Sequence, residues 1–487
     1  MSDEMKIPLP TAEDVVNKST ENETPPVIDF NYRGLSDEER LRRAVKDMEI
    51  IYDSDEPPVM TKYRPRFVEA YLYNTPPVFQ SLYSQPGITA AAVLMDDVSF
   101  RHTNGLYYPA KLNSLTVGPS GVGKNGLPEI FQVMLADLIQ ENQENMDREV
   151  EVKEYNNQLG ANTKRKAMPD NLVQRIVVPN TTLPGLAKQV KQNHGLPCFM
   201  ECKEVEDFYC FKNGSGGISP LVLLREADDR DGRIRQRRVG EKSVTVDMPF
   251  HLNYCASTQL DSAHNFFKND MTKGGVSRLE VSFIPEQPIG GKEGEHKPYD
   301  ERYAKRLQPF ISNLKKTREN AHADKYGRIY CKQAYKLIED LKDECSAYAQ
   351  ATFDRTWDNQ THRGLTHALL KACVLWAANG CKWDPKIEPF IRWSFHYCLW
   401  CKLHVFGDKL RDAESKLKYS VKPGKPNLLL LITSNIFTLN DAIIMRKRQE
   451  MDDSEKATKN MCNVWVSRGW IKRLLDGRYE KLEYKRS

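Results

Sequence analysis

The chain has 487 residues, 40% of them hydrophobic and 28% charged, which excludes wholesale disorder and leaves room for roughly two to four domains. Its longest purely aliphatic run, Leu428–Ile432, is far short of the ~20 residues that span a bilayer. With no basic-then-apolar leader at the start, a soluble, unexported, cytoplasmic protein with no membrane partner is expected. The net charge of +5 conceals an asymmetry: residues 1–57 hold 15 acidic and 7 basic residues, so the other 430 carry +13. A basic body behind an acidic head points to a polyanionic partner.

In chain order, residues 1–35 are polar with scattered prolines and read as mostly disordered. Ser36 and Glu39 have capping-box spacing and predict a helix to about Tyr52. From Lys111 to about Glu286, strand-type segments (112–117, 175–178, 197–202, 250–256) alternate with helix-type segments (127–143, 183–193). That alternation predicts an α/β domain with a largely parallel sheet. Residues 301–410 recur at helical spacing and are expected as a helical lid. After a Pro-Gly-Lys-Pro linker, three helix-type segments precede two strand-type segments around Asp476-Gly477, a hairpin signal. Three helices and then a hairpin is the order of a winged helix-turn-helix, expected over 427–487. Eleven cysteines include one C-x-x-C, Cys398 and Cys401, in an aromatic run. With no second pair at zinc-ribbon spacing, they read as reduced, buried core thiols.

Gly118-Pro-Ser120-Gly121-Val122-Gly123-Lys124-Asn125 has the G-x4-G-K spacing of a phosphate-binding loop, after a strand and before a helix. Glycines let backbone N–H groups turn onto phosphate oxygens, and the lysine adds a mobile charge. Asn125 stands where a hydroxyl residue usually helps hold Mg²⁺. Apolar residues 197–200 run into Glu201, Lys203, Glu204, Glu206 and Asp207. Glu204 is the candidate water-activating carboxylate and Glu201 a candidate metal ligand, although Lys203 stands where an aspartate would be usual; a solvated acidic loop is the alternative. Arg233, Arg235, Arg237 and Arg238 fall on a strand-turn-strand pattern, equally readable as a nucleic-acid contact or as a charged edge that prevents aggregation. Ser257 and Thr258 end an apolar strand, and Ser277-Arg278 precedes the strand-type segment 279–284. Lys456, Lys459 and Asn460 on the third C-terminal helix, with Arg478 in the hairpin, are candidate DNA contacts.

Together, the segments 117–124, 199–206 and 275–279 resemble an uncharacterised primase-helicase-like P-loop family of bacterial and phage mobile elements. That family is similar to AAA+ replicative helicases, including those of viral superfamily III. The resemblance covers about residues 80–410. It implies an AAA+-like P-loop domain over 58–290, a helical lid over 301–410 and a ring of subunits, hexameric by expectation, acting on DNA. It also implies ATP with Mg²⁺ as cofactors, Glu204 as catalytic carboxylate, Thr258 as γ-phosphate sensor and Arg278 as a finger reaching a neighbour. The expected activity is that of an ATP-dependent DNA helicase or replication-initiation ATPase. No primase motif is visible in residues 1–100, so priming is expected from a separate replication protein. The alternative reading is a non-enzymatic DNA-binding regulator or replication adaptor on a degenerate P-loop scaffold, motivated by Asn125 and Lys203.

Overall fold

The computed structural model describes residues 25–482, apart from 97, 120, 122–125, 161–162, 170, 213–218, 237–244, 272, 285–293, 324–326, 417–427, 433, 449–450, 452, 468–469 and 475. Contacts divide the chain into two compact units, one of residues 1–345 with 356–417 and one of 346–355 with 418–487.

The first unit opens with an extended stretch in which Pro26, Ile28, Phe30 and Tyr32 are buried at alternate positions. Helix α1 (Asp37–Tyr52) follows, started by the expected capping box: Ser36 Oγ accepts from Glu39 N–H and the Glu39 carboxylate accepts from Ser36 N–H. The ordered part of the head therefore differs from the expected disorder. The cause is a period-two apolar pattern that packs it onto the helical region. Tyr52 Oη lies 3.0 Å from His396 Nδ1, and the indoles of Trp393 and Trp400 donate to the carbonyls of Pro58 and Ser54. Residues 1–24 lie outside the described residues.

Helices α2 (Arg66–Tyr71) and α3 (Pro77–Ala92) come next. A Cβ on Gly87 would meet the Tyr71 ring at 2.6 Å, so glycine is what lets that ring lie against α3. Strands β1 (Ser99–Arg101) and β2 (Tyr107–Pro109) form a hairpin, and β3 (Asn113–Val117) enters the main sheet. The chain continues through α4 (Leu127–Met134), α5 (Ala136–Gln158), β4 (Ile176–Val177), α6 (Leu183–Gln192), β5 (Cys198–Cys202) and α7 (Pro220–Asp228). Strands β6 (Arg233–Gln236) and β7 (Val246–Pro249) pair antiparallel, ahead of β8 (Leu252–Thr258), α8 (Leu260–Phe267) and β9 (Val281–Phe283).

The main sheet has the order β4-β5-β8-β3-β9 and every neighbouring pair is parallel. All five residues of β3 are buried, as a central parallel strand covered on both faces requires. Helix α3 packs against β3, β8 and β9.

The helices of residues 301–416 are α9 (Glu301–His322), α10 (Lys332–Thr352), α11 (Arg355–Ala378) and α12 (Ile387–Lys416), with β10 (Arg328–Ile329) between the first two. Apart from residues 346–355, which group with the second unit, they belong to the same compact unit as the sheet. The fastening is polar as well as apolar: Lys402 Nζ donates to Ser277 O at 3.1 Å and Tyr397 Oη to Phe283 O at 3.4 Å, both from α12. Cys398 and Cys401 are buried free thiols in that helix.

The second unit contains α13 (Leu428–Leu431), β11 (Ile436–Phe437), α14 (Leu439–Arg448), α15 (Glu455–Ser467), β12 (Ile471–Arg473) and β13 (Tyr479–Lys481). Thr438 and Ser454 cap α14 and α15 through their hydroxyls. Gly477 turns the β12–β13 hairpin at a φ of 83°. Beyond the expected elements, β11 pairs with β13 and closes a three-stranded sheet over Phe437, Cys462, Trp465 and Tyr479. The expected linker residues 420–427 lie outside the described residues.

Candidate functional site

The carboxyl ends of β3, β5 and β8 share one edge of the main sheet, the place where ligands bind in open parallel sheets. Val117 pairs with Thr258, and Gly118 N–H donates to Thr258 O at 3.1 Å. The glycine-rich segment thus leaves the sheet directly beside the end of β8. Gly121 has a φ of 79°, and the space a side chain would take there is open. Ser120, Val122, Gly123, Lys124 and Asn125 lie outside the described residues. The chain returns at Gly126, whose N–H donates to Tyr83 Oη at 3.1 Å. A Cβ on Gly126 would stand 2.5 Å from His296 Cε1, so the residue that opens α4 is confined to glycine by a stack of Phe79, Tyr83 and His296.

One strand further, Cys202 pairs with Ala256. Two residues beyond that pair on each strand come Glu204 and Thr258. Glu204 is exposed at a turn tied by Asp207, which accepts from Lys203 N–H at 3.0 Å and whose N–H donates to Glu204 O at 3.1 Å. Glu201, still on β5, is half-buried, and that burial pushes its carboxyl above the usual range. Thr258 is buried and its hydroxyl donates to Gln259 O at 3.2 Å. The structure therefore brings Gly118, Gly121, Thr258, Glu201 and Glu204 to one sheet edge. The arrangement offers an open backbone turn, a hydroxyl and two carboxylates.

Arg278 is not among them. Its carbonyl accepts from Asn113 Nδ2 at 2.8 Å, at the amino end of β3 and hence the opposite edge of the sheet. Its guanidinium is held by Asp229 at 2.7 Å and by the Gly274 carbonyl at 2.6 Å, with Asp228 at 3.6 Å. Around it lies a buried polar network that sequence reasoning missed. His367 bridges Asp228 and Glu280, 3.0 Å from each, and Lys371 binds Glu280 at 2.5 Å, Ser394 at 2.8 Å and Gln85 at 3.0 Å. Burial alone would push His367 down, but its two carboxylates outweigh that and hold it above the usual imidazole range. Burial acts upward on Glu280, yet Lys371 and His367 carry it well below the usual carboxylate range. A histidine and a lysine one turn apart in the largely apolar second half of α11 was the available signal.

The hairpin arginines follow the expected alternation: Ile234 is buried while Arg233 and Arg235 face outward and share Asp247 at 2.6 and 3.6 Å. Arg237 and Arg238 lie outside the described residues. In the second unit, Lys456, Lys459 and Asn460 are exposed on α15 while Thr458 between them is buried. Arg478 is tied to Asp476 at 2.6 Å in the hairpin turn.

Among the described residues, no group of three or more His, Cys, Asp or Glu side chains could hold a metal ion, and no helix is long and apolar enough to cross a membrane. No family model matches the chain, and no curated protein matches it in sequence.

Proposed function

We propose that the chain is a P-loop ATPase of AAA+ type that acts on DNA, as a helicase or replication-initiation ATPase working in a ring. One observation carries the reading. A strand that ends in the Gly118–Asn125 motif is separated from the acidic strand by a third, polar-ended strand, and all three finish at one edge. Water attack on a phosphoryl group needs that juxtaposition: a backbone cradle, a carboxylate to orient the water and a polar group at the γ-phosphate. The open turn at Gly121 fits a phosphate, because a bare glycine backbone lets the oxygens approach its N–H groups.

In this reading Lys124 and the backbone of 118–125 hold the phosphates of ATP, while Asn125 and Glu201 face Mg²⁺, which would supply charge neutralisation when bound. Glu204 orients the water, and Thr258 contacts the γ-phosphate. The second unit supports a winged-helix assignment through its element order, helix-strand-helix-helix-strand-strand. Its exposed Lys456, Lys459 and Asn460 would face DNA, with Arg478 in the wing, and the Arg233–Arg238 hairpin would meet DNA from the first unit.

DNA-stimulated ATP hydrolysis by the full chain is the test. Lys124→Ala is expected to lose nucleotide binding, and Glu204→Gln to keep binding while turnover falls on the order of 100-fold, within the range for a general base. Wild-type protein that binds neither ATP nor DNA at moderate salt would overturn the reading. Binding of both without turnover would instead favour a regulator or adaptor on the same scaffold. Lys203, Asn125 and the pairing of Arg278 with Asp229 within its own chain are the observations on that side.

A further inference from the structure

Strands β2, β1 and β10 form a separate sheet whose two faces differ sharply. Register sets Ser99 opposite both Pro109 and Arg328, and Arg101 opposite Tyr107. Side chains two apart share a face, so Ser99, Arg101, Tyr107, Pro109, Arg328 and Tyr330 lie on one face, with Arg101, Arg328 and Tyr330 exposed, Ser99 and Tyr107 half-buried and Pro109 buried. Phe100, on the other face, is fully buried. Among the described residues, the projecting face carries two arginines, two tyrosines and no carboxylate. Arg101 lies over the Tyr330 ring at 5.3 Å, and Arg328 lies over the Tyr107 ring at 4.9 Å. Arg328 reaches across the central strand to do so, which the small side chain of Ser99 permits. Tyr330 remains 47% exposed and is braced edge-on by Tyr335.

We propose that this face is a docking platform for a single strand of nucleic acid. A guanidinium spread over a phenol is oriented in advance, so its edge N–H groups can take a phosphate while its outer plane and the exposed Tyr330 ring accept stacked bases. A duplex would bury its bases away from such rings, which is why the occupant is single-stranded. The β1–β2 turn extends the surface. It forms one wall of a cavity of about 310 Å³ whose lining includes His102, Asn104, Tyr108, Lys342, His362 and Arg363, and no acidic side chain. Arg363 at its far side is paired with Asp229 at 3.0 Å, and the adjoining cavity that shares Tyr108 and Arg363 is lined by Glu226, Asp229 and Asp231, so the acid-free lining ends there. None of these residues belongs to the proposed nucleotide site, the arginine hairpin or the second unit, so the inference does not depend on the ATPase reading.

The full chain would be titrated with fluorescent 30-mers of deoxythymidine and of uridine, whose arms separate DNA from RNA as the natural strand. Tyr330→Ala is expected to weaken binding on the order of tenfold, as loss of one stacked base does, while Tyr330→Phe binds as wild type. Arg101→Gln should make the slope of log affinity against log salt shallower by about 0.7, the value for one lost phosphate. Far-ultraviolet circular dichroism would verify that each variant is folded. Photocrosslinking of wild-type protein to a bromodeoxyuridine 30-mer needs no variant, and its adducts are expected in residues 99–109 and 328–335. Adducts confined to 233–249 and 428–482 would overturn the proposal and leave DNA binding intact. So would unchanged affinity and salt slope in the folded variants, or polyglutamate competing as well as the oligonucleotide.

Discussion

Lys371 and His367 show how a few buried side chains couple the helical region to the sheet. Glu280 precedes β9, and its carbonyl accepts from Leu115 N–H in β3, so the residue whose carboxylate Lys371 grips is itself bonded into the sheet. Breaking a buried pair from one side strands a charge, and Lys371→Met should cost about 3–5 kcal/mol in urea unfolding. The pH dependence follows from the two shifts. His367 is raised in the folded chain, so its contribution is complete below about 6.5 and fades as pH rises through the folded value. Glu280 is lowered, so its contribution is complete above about 4.3 and is lost as pH falls through the folded value. The network is therefore strongest between those limits. His367→Gln should be more damaging at pH 5.5 than at pH 9, and equal damage at both would contradict the bridge between Asp228 and Glu280. The placement of Glu204 and Thr258 at the carboxyl edge of the sheet was legible, because Thr258 ends an apolar strand and Glu204 follows one by two residues. His367 and Lys371 were not, because a polar residue in a helix reads as a solvated face until the packing around it is known.

At the scale of elements, the strands of the main sheet were readable to within about two residues, since runs such as 198–202 are buried-type apart from Glu201 and bounded by turn residues. Their order was not readable, because parallel pairing joins segments far apart in sequence and no local pattern records which neighbours meet. Residues 25–35 of the head were misjudged for a different reason: composition outweighed pattern. Pro26, Ile28, Phe30 and Tyr32 are buried in alternation with Val27, Asp29 and Asn31, and from Ile28 onward the pattern is apolar–polar, a signal that survives the charge around it. Arg40 on α1 completes the attachment, pairing with Glu344 at 2.7 Å, and Arg392 binds the other oxygen of the same carboxylate. Arg40→Ala should therefore destabilise the first unit by on the order of 3 kcal/mol through the half-stripped Glu344. Removal of residues 25–57 should lower the melting temperature further by uncovering the ring of His396 and the indoles of Trp393 and Trp400. Calorimetry of the two variants against wild type would measure both effects. An unchanged melting temperature would mean that the head is not part of the folded unit.

For the whole molecule, the position of Arg278 turns the proposed chemistry into a statement about assembly. The glycine-rich segment leaves the carboxyl edge of β3, whereas Arg278 is bonded to the amino end of the same strand. Five strand residues at ~3.3 Å each separate the two ends, so the arginine does not serve its own chain's phosphates. If it acts on phosphate, it acts on that of another copy, through a head-to-tail contact of the kind that closes into a ring. Its present partners, Asp228 and Asp229, would then hold it ready on the outer rim or exchange it for the neighbour's phosphate. Complementation separates this from a purely structural clasp. Lys124→Ala and Arg278→Ala should each be inactive alone, one lacking the phosphate lysine and the other the arginine. In an equal mixture, about a quarter of the head-to-tail contacts join an intact loop to an intact arginine. The mixture should regain measurable ATPase activity that grows with total protein concentration, as subunits meet. If Arg278 instead only braces Asp228 and Asp229, its loss damages the subunit that carries it, and mixing restores nothing.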